Sequence, residues 1–131
     1  MSDDGLVTIE SNHTVKETID RVAASLAAIG VAVFARIDHA EGASVGMPLR
    51  PTELLIFGNP KAGTPLMQSR QSIGIDLPLK LLGWQDGSGR AWLSYNDVAW
   101  LARRHGLGPD AAPAIDALAR FLADLAAAAV L

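Results

Sequence analysis

Asp38 and His39 set a carboxylate beside an imidazole at the end of a largely apolar run. Adjacent strand residues point to opposite faces, so the two form no simple dyad unless a bulge intervenes. Each stands as a separate candidate for acid–base work or ligand contact. The plainer reading of His39 is a hydrogen-bonded histidine at a strand end. Glu53 and Lys80 are lone charges in otherwise apolar runs, residues 52–57 and 77–84. Charges are rarely buried unpaired, so a Glu53–Lys80 or Lys80–Asp38 pair could line a pocket if both runs are central strands. A structural ion pair is the competing reading, with Arg36 and Arg50 as other partners for the acids.

Gly58-Asn59-Pro60-Lys61-Ala62-Gly63-Thr64 follows an apolar run and invites comparison with a phosphate loop. The lysine required after the second glycine is absent, and Pro60 removes a backbone donor, so nucleotide hydrolysis is disfavoured. Asn59, Lys61 and the start of the next helix could still hold an anion; the plain alternative is a strand-to-helix turn. Tyr95, Asn96 and Asp97 sit where a strand meets a helix, which a cap and a half-buried tyrosine explain and which a cleft-facing hydroxyl would extend. His13, His39 and His105 fall on separate elements without ligand spacing, so no metal or other cofactor is expected. No Ser-His-Asp spacing or nucleophile elbow is recognisable.

The elements that must position these groups follow from periodicity. Residues 5–10 form a first strand. Thr14 and Glu17 make a capping box, followed by Val15, Ile19, Val22, Leu26 and Ile29 on one stripe of a helix over 14–29, with a Glu17–Arg21 pair outside and Gly30 as its stop. Strands are expected over 31–39, with Val33, Ala35, Ile37 and His39 on one face, and over 52–57, after a loop containing Gly42, Gly46 and Pro48. A short helix over 64–71 starts at Pro65. Strands 77–84 and 90–95 flank a hairpin at Asp86-Gly87-Ser88-Gly89. A helix runs from Asn96 or Asp97 to Gly106. A last helix is capped by Asp110 and carries Ile115, Leu118, Leu122 and Leu125. Consecutive strands in the middle and helices at both ends specify an α+β two-layer sandwich, a mainly antiparallel sheet with helices on one face.

The 131 residues suit one domain, with 50% hydrophobic and 19% charged residues. That composition excludes a disordered chain. Eleven Lys and Arg against 14 Asp and Glu give net charge −3 and disfavour nucleic acid. Trp84, Trp92 and Trp100 are accordingly expected as core or dimer contacts. Cysteine is absent, which excludes disulfides, thiolate metal sites and cysteine nucleophiles. No run approaches the length of a membrane span, and the acidic N-terminus is unlike a secretory signal, so a cytoplasmic protein without membrane contact is expected.

Val33-Phe34-Ala35-Arg36-Ile37-Asp38-His39-Ala40, Leu49-Arg50-Pro51-Thr52-Glu53-Leu54-Leu55-Ile56-Phe57-Gly58-Asn59-Pro60, Asp76-Leu77-Pro78-Leu79-Lys80 and Ser94-Tyr95-Asn96-Asp97 together closely resemble the domain of unknown function 302 family, over about residues 5–107. The resemblance implies a TATA-binding-protein-like fold, a curved antiparallel sheet in β-α-β(4)-α order, and a homodimer. It carries no activity. On that frame residues 110–130 form a helical extension beyond the core.

The leading expectation is a dimeric module that binds a small molecule in a cleft between sheet and helices, lined by Asp38, His39, Glu53, Asn59, Lys61, Lys80 and Tyr95. The alternatives are an enzyme using Asp38 or His39 as acid or base, and a structural or interaction domain.

Overall fold

The computed structural model describes residues 4–41 and 46–131, so Gly42 of the expected loop and the first three residues lie outside it. Strand β1 (Leu6–Ser11) leads to Thr14, which caps helix α1 (Val15–Ala28). The Thr14 hydroxyl accepts from the Glu17 N–H at 3.1 Å and donates to the Glu17 carboxylate at 2.9 Å. The capping pair therefore forms, with Glu17 returning to the hydroxyl. Val15, Ile19, Val22 and Leu26 are buried along one face. Ile29 departs from the expected stripe and is 60% exposed, because it is the C-cap and the chain turns away at Gly30, φ 73°. Arg21 turns from Glu17 to the carbonyls of Ala128 and Ala129, at 3.0 and 2.9 Å, which have no partners within their own helix end.

Helix α1 carries the chain across the sheet. Strands β2 (Ala32–Asp38), β3 (Thr52–Gly58), β4 (Leu79–Gln85) and β5 (Ala91–Asn96) complete a five-stranded sheet in the order β1-β5-β4-β3-β2. Every neighbouring pair is antiparallel. The β4–β5 hairpin turns on Asp86, whose carboxylate accepts from the Ser88 and Arg90 N–H groups and from the Trp92 indole.

Between β3 and β4 the chain forms helix α2 (Pro60–Ser69) and a 3-10 segment (Gln71–Asp76). The helix begins earlier than expected. Asn59 caps it by accepting from the Lys61 N–H at 2.9 Å, Pro60 takes the first turn, and Pro65 lies inside. Helix α3 (Val98–His105) is capped by Asp97 and stopped by Gly106, φ 69°. A 3-10 turn (Pro109–Ala111) then leads into helix α4 (Ala112–Val130), which has no side-chain cap, so Asp110 does not play that part.

Leu55, Phe57, Leu81 and Leu93 point from the central strands toward the helices and are fully buried. The result is an α+β sandwich with the core on the helix side. Gly83 lets α1 approach closely: a Cβ there would sit 3.0 Å from Ile19 Cγ1 and 3.2 Å from Val15 Cγ1. Helix α4 is no appendage. Its Leu118, Leu122, Leu125, Ala126 and Ala129 belong to the same core cluster as Ile19 and Phe57.

Candidate functional site

The seven residues singled out in the sequence occupy four separate places. Asp38 and Glu53 are register partners at one end of β2 and β3. Between them and α1 runs a chain of ion pairs: Arg36 Nε reaches Glu53 at 2.8 Å, Arg36 Nη1 reaches Asp20 at 2.7 Å, and Lys16 reaches Asp20 at 2.8 Å. Hydrogen bonds from Lys16 and then Arg36 hold the Asp20 carboxyl below its ordinary pKa. Burial works against the Arg36 charge, but the bonds to Glu53 and Asp20 outweigh it and raise its pKa. The lone glutamate of β3 is thus answered by Arg36 from the neighbouring strand.

The expected Glu53–Lys80 pair does not form. Glu53 is opposite Gly83 and Lys80 is opposite Ile56, three positions along the ladder. Alternation then puts Glu53 on the helix side with Leu55, and Lys80 on the open face with Leu82. Lys80–Asp38 fails for the same reason, since Asp38 is the register partner of Glu53. The Asp38 carboxylate accepts from the Ala40 N–H at 2.9 Å and turns the chain. His39 is exposed in the turn that follows. The face expected for β2 also changes. Val33 pairs with Phe57 and Ala35 with Ile56, leaving Phe34 as an extra residue, so Val33 points opposite to Ala35 and Ile37. Tyr95 lies on the helix side of β5, packed against the core. Its pKa is raised by burial and then by the Asp97 charge.

Asn59 and Lys61 lie at the other end of β3, about 20 Å from Glu53 at roughly 3.4 Å per strand residue. They border two adjoining clefts. A cleft of about 290 Å³ is lined by Phe34, Gly58, Pro60, Met67, Leu77, Pro78 and Leu118 among others. A second, of about 360 Å³, is lined by Val31, Lys61, Ala114, Ala117 and Phe121 among others. Gly58, Asn59, Ala62, Leu79 and Leu118 border both. The walls are mostly apolar, with Asn59 and Thr64 at one cleft and Asn59 and Lys61 at the other. No sequence pattern marks these walls, because they come from four separate stretches: the start of β2, the end of β3 running into α2, residues 74–79, and the first turns of α4. The signal available was Gly58: a bare backbone where Phe34 and Pro78 each pass 3.5 Å from a would-be Cβ.

On the open face, Trp84 and Trp92 stack with ring centroids 6.1 Å apart. The Trp84 indole donates to Ser94, which also bonds Thr8. Among the described residues, no group of three or more His, Asp or Glu side chains is placed to hold a metal ion. None of their helices is long and apolar enough to cross a membrane.

Comparison with known proteins gives a consistent family. The model described as "Domain of unknown function DUF302" matches residues 7–125, which takes in most of α4. A Brucella suis protein named fluoride-specific ion channel FluC 1 is 56% identical over 117 residues, 88% of this chain and 46% of that protein. Its Brucella abortus counterpart of the same name is also 56% identical, over 43% of its length. The chain therefore spans less than half of these curated relatives. A crystal structure of an uncharacterized conserved DUF302 protein from Bacillus stearothermophilus superposes with TM-score 0.74 at 22% identity, covering 96% of this chain and 95% of that one.

Proposed function

We propose, for a chain that belongs to the DUF302 family of domains of unknown function, that it is a binding module for a small, largely apolar molecule. The observation that supports this is the pair of clefts meeting at Gly58, Asn59 and Ala62, with combined room in the range of ligand pockets. Apolar walls supply affinity. Asn59, Lys61 and Thr64 orient a polar end, and Lys61 favours an anionic one. Of the seven residues expected to line a cleft, this reading keeps Asn59 and Lys61.

The test is a thermal-shift screen of metabolites grouped by charge and apolar length. Stabilisation is expected from amphiphilic anions, reduced by Lys61→Ala and abolished by Ala62→Phe, which fills both clefts. If no class raises the melting temperature, the reading fails.

The proposal includes a cytoplasmic homodimer paired through the open sheet face, where Leu6 and Ile37 are 49% and 39% exposed. Light scattering should return twice the chain mass, and Ile37→Lys should halve it. A wild-type monomer refutes the pairing.

A second reading rests on the relatives. They are named fluoride-specific ion channels, and this chain corresponds to less than half of each. No described helix of the matching part can span a bilayer. On this reading the domain serves a fluoride channel as an attached or separately made regulatory piece. Deleting the chain's gene should then change survival in fluoride; unchanged survival together with no co-purification of a fluoride channel removes the reading.

A further inference from the structure

The 3-10 segment Gln71–Asp76, whose Gly74 borders the first cleft, meets the end of α3 through Ser72 and Asp76, which line neither cleft. His105 Nε2 lies 2.5 Å from Asp76 Oδ2, and His105 Nδ1 lies 2.9 Å from the Ser72 hydroxyl. The His105 and Asp76 side chains are only 9% and 15% exposed, whereas Ser72 is exposed. Arg104 Nη1 contacts both Asp76 oxygens at 3.1 Å, which sets a cation beside that carboxylate.

We propose that Ser72, His105 and Asp76 form a nucleophilic relay that cleaves carboxylic esters. An ionised carboxylate only accepts hydrogen bonds, so it places the imidazole proton on Nε2. The Nδ1 lone pair is then free to receive the Ser72 proton, the arrangement that activates a serine. The ring nitrogens are used in the opposite sense from the usual triad, which leaves the proton logic unchanged. Ser72 Oγ bonds to the acyl carbon as its proton passes to Nδ1. The C–O bond to the leaving alcohol breaks, and His105 returns the proton to that oxygen. Water then attacks the acyl-serine, giving its proton to His105, and the acid departs as Ser72 recovers its hydrogen. The relay needs no metal or oxidant. Its parts are 33 and 29 residues apart in sequence.

The same groups would also serve merely to pin the 3-10 segment to α3, so the test reads reactivity. The full chain is treated with a fluorophosphonate probe and separately with p-nitrophenyl acetate, and the adduct is mapped by mass spectrometry. Modification of Ser72 is expected, absent in Ser72→Ala, which leaves the His105–Asp76 contact intact. A loss of rate on the order of 100-fold is expected in His105→Gln, the usual contribution of a general base. Equal melting curves for wild type and Ser72→Ala show that the lost labelling is not unfolding. No adduct on wild-type Ser72, or the same labelling rate in His105→Gln, overturns the proposal. Ligand binding in the clefts is unaffected by either result.

Discussion

Replacing Gly83 with alanine should loosen the packing of α1 on the sheet. The added Cβ would stand 3.0 and 3.1 Å from Ile19 Cγ1 and Cδ1 and 3.2 Å from Val15 Cγ1. Ile19 is fully buried and Val15 nearly so, which leaves neither side chain free to swing outward. Overfilling a packed core costs about 1–3 kcal/mol. Alanine recovers about 0.5–1 kcal/mol, because glycine is the residue that loses most freedom on folding. The balance lies between about 0 and 2.5 kcal/mol, and because three contacts at 3.0–3.2 Å meet side chains that cannot swing out, the expected loss is in its upper half, about 1–2.5 kcal/mol, or about 3–10 °C in melting temperature for a domain of this size. Urea unfolding of wild type, Gly83→Ala, Ile19→Val and the double variant measures it. Ile19→Val alone should cost about 0.5–1.5 kcal/mol. Beside Gly83→Ala it should cost less than it does alone, because it removes the Cδ1 contact at 3.1 Å while leaving the Cγ1 contact at 3.0 Å. A Gly83→Ala variant as stable as wild type, with additive effects across the cycle, would refute this account of the helix–sheet spacing.

Arg36→Ala should destabilise by about 1–3 kcal/mol, because it leaves Glu53 with 13% side-chain exposure and no cation; adding Glu53→Gln should recover part of that loss in urea unfolding. The Asp20 carboxyl is depressed in the folded state, so its contribution is complete above the unfolded range near about pH 4 and is lost as pH falls through the folded value. An Asp20→Asn variant should therefore show a shallower decline in stability on acidification. Asp86 is held far below the carboxylate range, first by the Trp92 indole, then by the Ser88 hydroxyl and the Arg90 N–H. Asp86→Asn should alter tryptophan fluorescence and flatten the acid dependence in the same direction. Gly5→Ala should lower stability by about 2 kcal/mol or more, since φ is 76° and a Cβ would fall 2.4 Å from the Trp100 ring; unchanged thermal melting counts against this.

Local chemistry was legible where a single segment decides it. Thr14 with Glu17, Gly30, Asp86 with Gly89, and Asp97 with Gly106 mark boundaries that the structure keeps, because caps and turns depend on neighbours in sequence. Helix α2 starts five residues before Pro65 because Asn59-Pro60 reads equally as a turn and as a cap followed by a first-turn proline. The β2 bulge at Phe34 left no local mark, so the face shared by Val33 and Ala35 was misread. The clefts were least visible. Their walls are ordinary apolar residues from four distant stretches, and only packing makes them a surface. Glu53 stands out as a lone charge in its strand, but its partner Arg36 makes it part of the scaffold. Ser72, Asp76 and His105 escaped for a similar reason: no spacing rule links a 3-10 segment to a helix end.

The His13 imidazole bonds the Leu131 carbonyl at 2.9 Å, the Asn12 N–H bonds that of Val130 at 2.9 Å, and Arg21 holds the two before them. Helix α4 is thus fastened at its far end to the first turn the chain makes, and it covers the core that earlier segments leave open. The end of α4 and the turn into α1 therefore open together: a fluctuation that frees one uncovers the core beneath both, so their backbone amides should exchange with solvent as a single unit.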